Sequence, residues 1–247
     1  MMSKPNINPS LYKLESEYMS SRNRAGNITP ITLTQVEKEF NAFKAIDMSD
    51  AEQQSALYEL FPDYLIETCD ADDWQLFLAM GRYDSSSHTF LSGCFENQDW
   101  ELKLISYKWR YKDGIKWKTR AGTSPNGSLF IRIFSDDRTV YVVEGHRDSL
   151  TAVLLGLDFI MIPYAGFKLK NAALLRQEVS DRKVVFISED QAAFNCMHSL
   201  SLAIEDIADE IVLIQLMTEE KCDLTDFALK KNSVEEVIYG LKNKESH

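Results

Sequence analysis

From Thr139 onward the chain alternates short apolar runs with helix-length amphipathic stretches, and this alternation restricts the fold more than any other feature. TVYVV reads as a strand and HRDSLTAVLLG as a helix. DFIMIPY is a second strand, followed by the helix LKNAALLRQEV. RKVVFIS is a third strand, DQAAFNCMHSLSLAIEDI a helix, and EIVLIQLM a fourth strand. Runs such as VVFI and IVLIQL suit strands buried on both faces, as in a parallel sheet covered by helices. In such sheets ligands gather beyond the carboxyl ends of the strands.

The residues at those ends are acidic. The first strand delivers Glu144-Gly145 with Asp148 following, the third delivers Ser188-Glu189-Asp190, and Asp223 and Asp226 follow the fourth. A single acid at a helix start is ordinary capping, because carboxylates favour helix N-termini. Three coincident strand ends point instead to a hard divalent cation, since like charges held close need a counter-ion.

The 247 residues suffice for one large domain or two small ones, and 45% of them are apolar, which sets the chain among globular proteins. No run of 18 apolar residues and no signal peptide is present, so a cytoplasmic location is expected. Cys69, Cys94, Cys196 and Cys222 form no C-x-x-C pair, which argues against a zinc ribbon and for reduced thiols. Net charge is −11, yet residues 101–147 hold ten Lys/Arg against five Asp/Glu. One basic segment therefore sits inside an acidic protein.

That segment is WELKLISYKWRYKDGIKWKTR, residues 100–120, and it has the alternation of a β-hairpin. A three-residue Lys112-Asp113-Gly114 loop pairs Trp109 with Trp117, giving one aromatic and one basic face. Lys108, Arg110, Lys112, Lys116, Lys118 and Arg120 are candidate phosphate contacts, with Trp109 and Trp117 as an aromatic rim for bases. Gly122 and Gly127 have P-loop spacing, but Ser128 stands where the lysine belongs. Residues 1–30 read as a mobile arm, and 31–82 as three helices, one begun by Thr34 with Glu37, one by Ser49 with Glu52 and one running from Asp70 to Met80. Trp74, Phe77 and Leu78 form the buried face of the third, and residues 83–93 read as a loop.

Glu144-Gly145-His146-Arg147-Asp148 resembles E-G-x-x-D, the opening motif of Toprim domains in bacterial and phage primases. Phe186-Ile187-Ser188-Glu189-Asp190-Gln191-Ala192-Ala193 resembles the second motif, F-D-x-D-x-A-G, and Asp223-Leu224-Thr225-Asp226 the later D-x-x-[DE]. Gly166 falls where the family has a glycine after its second strand. The resemblance covers residues 139–230, and the hairpin is similar to the basic subdomain that precedes Toprim in primases. Ser188 replaces the first aspartate of the second motif, and Ala193 its glycine.

The resemblance implies an α/β fold: a Rossmann-like Toprim domain with a mostly parallel sheet and flanking helices. It would span residues 139–247, after a basic β-rich subdomain at 94–138 and a helical unit at 31–93 that the resemblance does not reach. It implies Mg²⁺ or Mn²⁺ at Glu144, Asp190, Glu189, Asp223 and Asp226, with Glu144, Asp148 and Asp190 as the catalytic residues. The implied activity is primer synthesis from ribonucleotides on single-stranded DNA, beside a helicase or another replication factor. Ser188 keeps two alternatives open: a degenerate Toprim protein that binds nucleic acid without catalysis, and a Toprim nuclease.

Overall fold

The computed structural model describes residues 32–98, 101–110, 117–119, 130–133, 138–162, 172–217 and 220–245. The expected arm, the hairpin tip with Lys112 and Lys116, Arg120, the Gly122–Gly127 turn and Gly166 lie outside the described residues.

Four helices come first. In α1 (Leu33–Ala42) the cap is Thr32, whose hydroxyl accepts from Gln35 N–H, two residues ahead of the expected Thr34. Val36 and Phe40, four apart, then bury one face against Leu91, Leu104 and Tyr107. The carboxylate of Asp50, rather than Ser49, caps α2 (Ala51–Tyr58) by accepting from Glu52 and Gln53. That helix ends at Tyr58 with Glu59 as its C-cap, ahead of the expected stop at Pro62, and Pro62 is instead the N-cap of α3 (Asp63–Thr68), a helix the sequence reading missed. In α4 (Ala71–Met80) the buried residues are Asp73, Phe77 and Met80, with Trp74 stacked on Phe77 at 5.1 Å and Leu78 only half-buried.

The stretch 83–93, expected to be a loop, is mostly sheet. Strand β1 (Gly81–Asp84) turns through residues 85–88 into β2 (Thr89–Gln98), with Gly81 opposite Ser92. Strand β3 (Glu101–Arg110) runs back along β2, and β4 (Trp117–Thr119) completes an antiparallel sheet in the order β1-β2-β3-β4. The expected pairing of Trp109 with Trp117 is off by one residue. Trp109 faces Lys118 and Arg110 faces Trp117. The observed register takes Lys118 away from Lys108, and like charges directly opposite one another destabilise a hairpin.

The second sheet has the order β5-β7-β6-β8-β9, with β5 at Phe130–Arg132, β6 at Thr139–Glu144, β7 at Phe159–Ile162, β8 at Lys183–Ser188 and β9 at Glu210–Gln215. Strands β6 to β9 are parallel, and β5 pairs antiparallel with β7. Alternation along β6 divides the core. Tyr141 and Val143 face a cluster with α5 (Gly145–Leu154), α8 (Leu224–Leu229) and α9 (Val234–Glu245). Val140 and Val142 face α6 (Ala172–Glu178) and α7 (Gln191–Ser201). Strand β9, expected to be buried on both faces, is an edge, and its Ile211, Val212 and Leu213 are half-buried because cover thins at the sheet margin.

The N-terminal helices belong to the same core. Leu57, Phe61, Leu65 and Phe77 pack in one cluster with Leu150 and Leu154 of α5. Polar ties reinforce the docking. Tyr64 donates to the Ala228 carbonyl at 2.8 Å, and buried Arg132 pairs with Asp73 of α4 and donates to the Leu157 carbonyl at 2.6 Å. The four cysteines are free thiols.

Candidate nucleic-acid site at the strand ends

Three segments meet at the carboxyl edge of the parallel sheet. Strand β6 ends at Glu144, and Gly145 turns the chain into α5 with φ +82°, a left-handed conformation that favours glycine. A Cβ on Gly145 would meet no atom of the described residues within 4 Å. Strand β8 ends at Ser188, and Asp190 caps α7 by accepting from Ala193 N–H at 2.8 Å. The third segment arrives through a backbone bond from Cys222 N–H to the Glu189 carbonyl, 2.9 Å. Asp223 then caps α8 by accepting from Asp226 N–H at 2.7 Å.

Two cations stand among these acids. Lys221 Nζ lies 2.6 Å from Glu189 and 4.0 Å from Asp190. The hydrogen bond to Glu189 holds its ammonium above the ordinary lysine range, and the charges of Glu189, Asp190 and Glu144 add to the effect. Arg147 Nη1 lies 2.9 Å from Asp226 and 3.5 Å from Asp223. The sequence reading missed Lys221 and gave Arg147 no role. The signal was available: one lysine inside the acidic stretch TEEKCDLTD, and one arginine beside Asp148.

Asp148 and Ser188 are both turned to other partners. Asp148, expected at the catalytic rim, is buried beneath it and fastens α8. Its carboxylate accepts from Leu224 N–H (3.2 Å), Thr225 N–H (3.1 Å) and the Thr225 hydroxyl (2.8 Å). Burial, with Asp223 nearby, pushes its pKa well above the usual carboxylate range. Ser188 is buried as well, and its hydroxyl donates along the sheet to the Ile214 carbonyl at 2.8 Å.

The donor set does not fit a preformed divalent-metal site. Mg²⁺ is held by one or two freely presented carboxylates, with waters or phosphate oxygens completing a near-octahedral array. Here Asp190 and Asp223 cap helices, Glu189 and Asp226 hold cations, and Ser188 is turned away. Among the described residues no three acidic, histidine or cysteine side chains come together as a metal-binding group.

The basic sheet adjoins this edge. Lys108 of β3 is close enough for its charge to act on His146, the second residue of α5. His146 is buried, and neither ring nitrogen has a hydrogen-bond partner among the described residues. Burial first, then Lys108, presses its pKa well below the usual histidine value. Lys118, opposite Trp109, and Arg110, opposite Trp117, lie one and two steps farther along the β3–β4 ladder.

A stability prediction follows from His146. Its folded pKa is depressed below the unfolded value of about 6.5, so the folded chain resists protonation that the unfolded chain accepts. Stability is therefore fully retained above that value and falls as pH drops below it, by up to about 1.4 kcal/mol per pH unit. Urea unfolding of wild type and His146→Leu between pH 5 and 7.5 measures this. The variant should lose the acid slope, and equal slopes would remove His146 as its source.

No family model and no curated protein matches the chain. Solved structures do. The DnaG catalytic core aligns with 86% of this chain and 80% of its own, at 13% identity and a TM-score of 0.55. A DnaG primase catalytic domain bound to ssDNA aligns over 85% and 80%, at 13% identity and a TM-score of 0.54. The Aquifex aeolicus primase, with its zinc-binding and RNA polymerase domains, aligns over 95% of this chain and 68% of its own, at 11% identity and a TM-score of 0.53. The likeness is one of fold: the chain has the architecture of a bacterial primase catalytic core, with a Toprim-like, mostly parallel sheet.

Proposed function

We propose that this chain works in DNA replication as a primase-core-like protein that binds single-stranded DNA, and that it has given up metal-dependent nucleotidyl transfer. The observation that carries the reading is a primase-core fold whose strand-end carboxylates are held by Lys221 and Arg147. Lys108, Arg110, Lys112, Lys116, Lys118 and Arg120 would contact phosphates, and Trp109 and Trp117 would offer stacking surface. A helicase or another replication factor is the expected partner.

A second reading, RNA primer synthesis from ribonucleotides with Mg²⁺ or Mn²⁺, draws support from Glu144 and Asp190. They sit at the ends of neighbouring parallel strands, β6 and β8, the places a primase core would use. Glu144 would then serve as general base or metal contact.

One gel separates these readings. The protein is incubated with circular single-stranded DNA, Mg²⁺ or Mn²⁺ and labelled ribonucleotides, beside Glu144→Ala. The first reading expects a shifted, intact circle and no labelled product. Short products lost in the variant would establish primer synthesis, and a cut circle would establish a nuclease. Lys116→Glu with Lys118→Glu should weaken binding at least tenfold and flatten its salt dependence; unchanged affinity would remove the hairpin from the binding surface.

A further inference from the structure

We infer that Lys221 and Arg147 are built-in counter-ions that take the place of a divalent cation at the acidic edge. The inference rests on the likeness of that edge to a primase core, and not on whether the chain binds DNA.

The geometry is that of substitution rather than of ordinary surface pairing. Each cation bridges two acids: Lys221 spans Glu189 and Asp190, and Arg147 spans Asp223 and Asp226. Together they bring two positive charges, the charge of one divalent ion, to the residues that the motif resemblance assigns to metal. Both are delivered by backbone that the fold holds in place. Lys221 immediately precedes the Cys222–Glu189 backbone bond, and Arg147 lies in the first turn of α5 with its side chain only 22% exposed. Ser188 completes the substitution. A further carboxylate at this strand end would add to the negative charge that the two cations already leave unmatched, whereas a hydroxyl bonded to Ile214 adds none. The serine and the cations are thus one device: an acidic edge that keeps its shape without a metal. Other anions reaching this edge, such as DNA phosphates, would meet Lys221, whose side chain is 64% exposed.

The test is Mn²⁺ uptake by the full chain, read by electron paramagnetic resonance and by thermal shift. The proteins are wild type, Lys221→Met, Arg147→Met, and Lys221→Met combined with Ser188→Asp. Lys221 is exposed, so its replacement leaves the core intact. Wild type should take up no stoichiometric Mn²⁺ and show no shift in Tm. The combined variant should bind about one equivalent and gain about 5 °C at a hundredfold excess of Mn²⁺ over Kd. Stoichiometric Mn²⁺ binding by wild type, undiminished relative to Lys221→Met, would overturn the inference. So would failure of every variant to bind, because the carboxylates would then not form a metal site even with the cations gone. Single-stranded DNA binding measured in EDTA is a separate readout. If it fails while the Mn²⁺ results hold, the DNA-binding proposal falls and this inference stands.

Discussion

Arg132→Met will destabilise the whole chain by about 3–5 kcal/mol, because it leaves two carboxylates without their cation in the interior. Arg132 is buried on the β5 edge of the parallel sheet, where it pairs with Asp73 of α4, lies 3.7 Å from Asp158 and donates to the Leu157 carbonyl. Asp73 and Asp158 are themselves buried. The network joins an N-terminal helix to a strand nearly sixty residues later, so its loss should loosen the helical unit and the sheet together. Urea unfolding followed by near- and far-ultraviolet circular dichroism should show one cooperative transition moved to lower midpoint, with Tm lower by about 6–20 °C. Arg132→Met combined with Asp73→Leu and Asp158→Asn should recover much of the loss, since a buried ion pair exchanged for matched apolar groups is often close to neutral. A loss below about 1 kcal/mol in the single variant would show that water reaches the site.

Asp148→Ala is expected to lower stability by about 3 kcal/mol or more, and to do so through α8. Three donors converge on this carboxylate: two N–H groups from the first turn of α8 and the Thr225 hydroxyl. Removing it strands buried donors, each at a desolvation penalty of about 1–3 kcal/mol. Asp148→Asn keeps one carbonyl acceptor and should lose less, and its penalty should depend on pH. The folded pKa of Asp148 is raised above the unfolded value, so its contribution is fullest below about pH 4 and is lost as pH rises through the folded pKa. Asparagine does not ionise, so the difference between wild type and Asp148→Asn should shrink as pH rises from 4.5 to 8.5. Unfolding curves at those two pH values decide it. A penalty that grows with pH would mean that the folded state holds the ionised carboxylate more firmly than burial allows.

The parts of the fold legible beforehand share one physical origin. Strands buried on both faces need continuous apolar runs, and β6 and β8 carry them as TVYVV and KVVFIS. Where both faces of a sheet are packed closely, the pattern breaks down, because small and polar residues are then drawn inside. Strand β2 shows this. Ser92 and Cys94 are fully buried, and a Cβ on Gly93 would come within 2.4 Å of the Phe95 ring, so TFLSG reads as loop although it is sheet. The same holds for Asp73, an acid on the buried face of α4 whose reason for being there is Arg132, far along the chain.

Local pattern by itself determined the four parallel strands and the helices between them, and put Glu144, Glu189, Asp190, Asp223 and Asp226 at strand and helix ends, because periodicity and element ends are properties of neighbouring residues. Only the tertiary structure decided what those acids face. Whether a carboxylate meets a metal, a helix N-terminus or a lysine depends on which distant segment lies within about 4 Å. Asp148 under α8, Ser188 on Ile214, Lys221 between Glu189 and Asp190, and the Trp109–Lys118 register are contacts of that kind, set by how the sheets and helices pack.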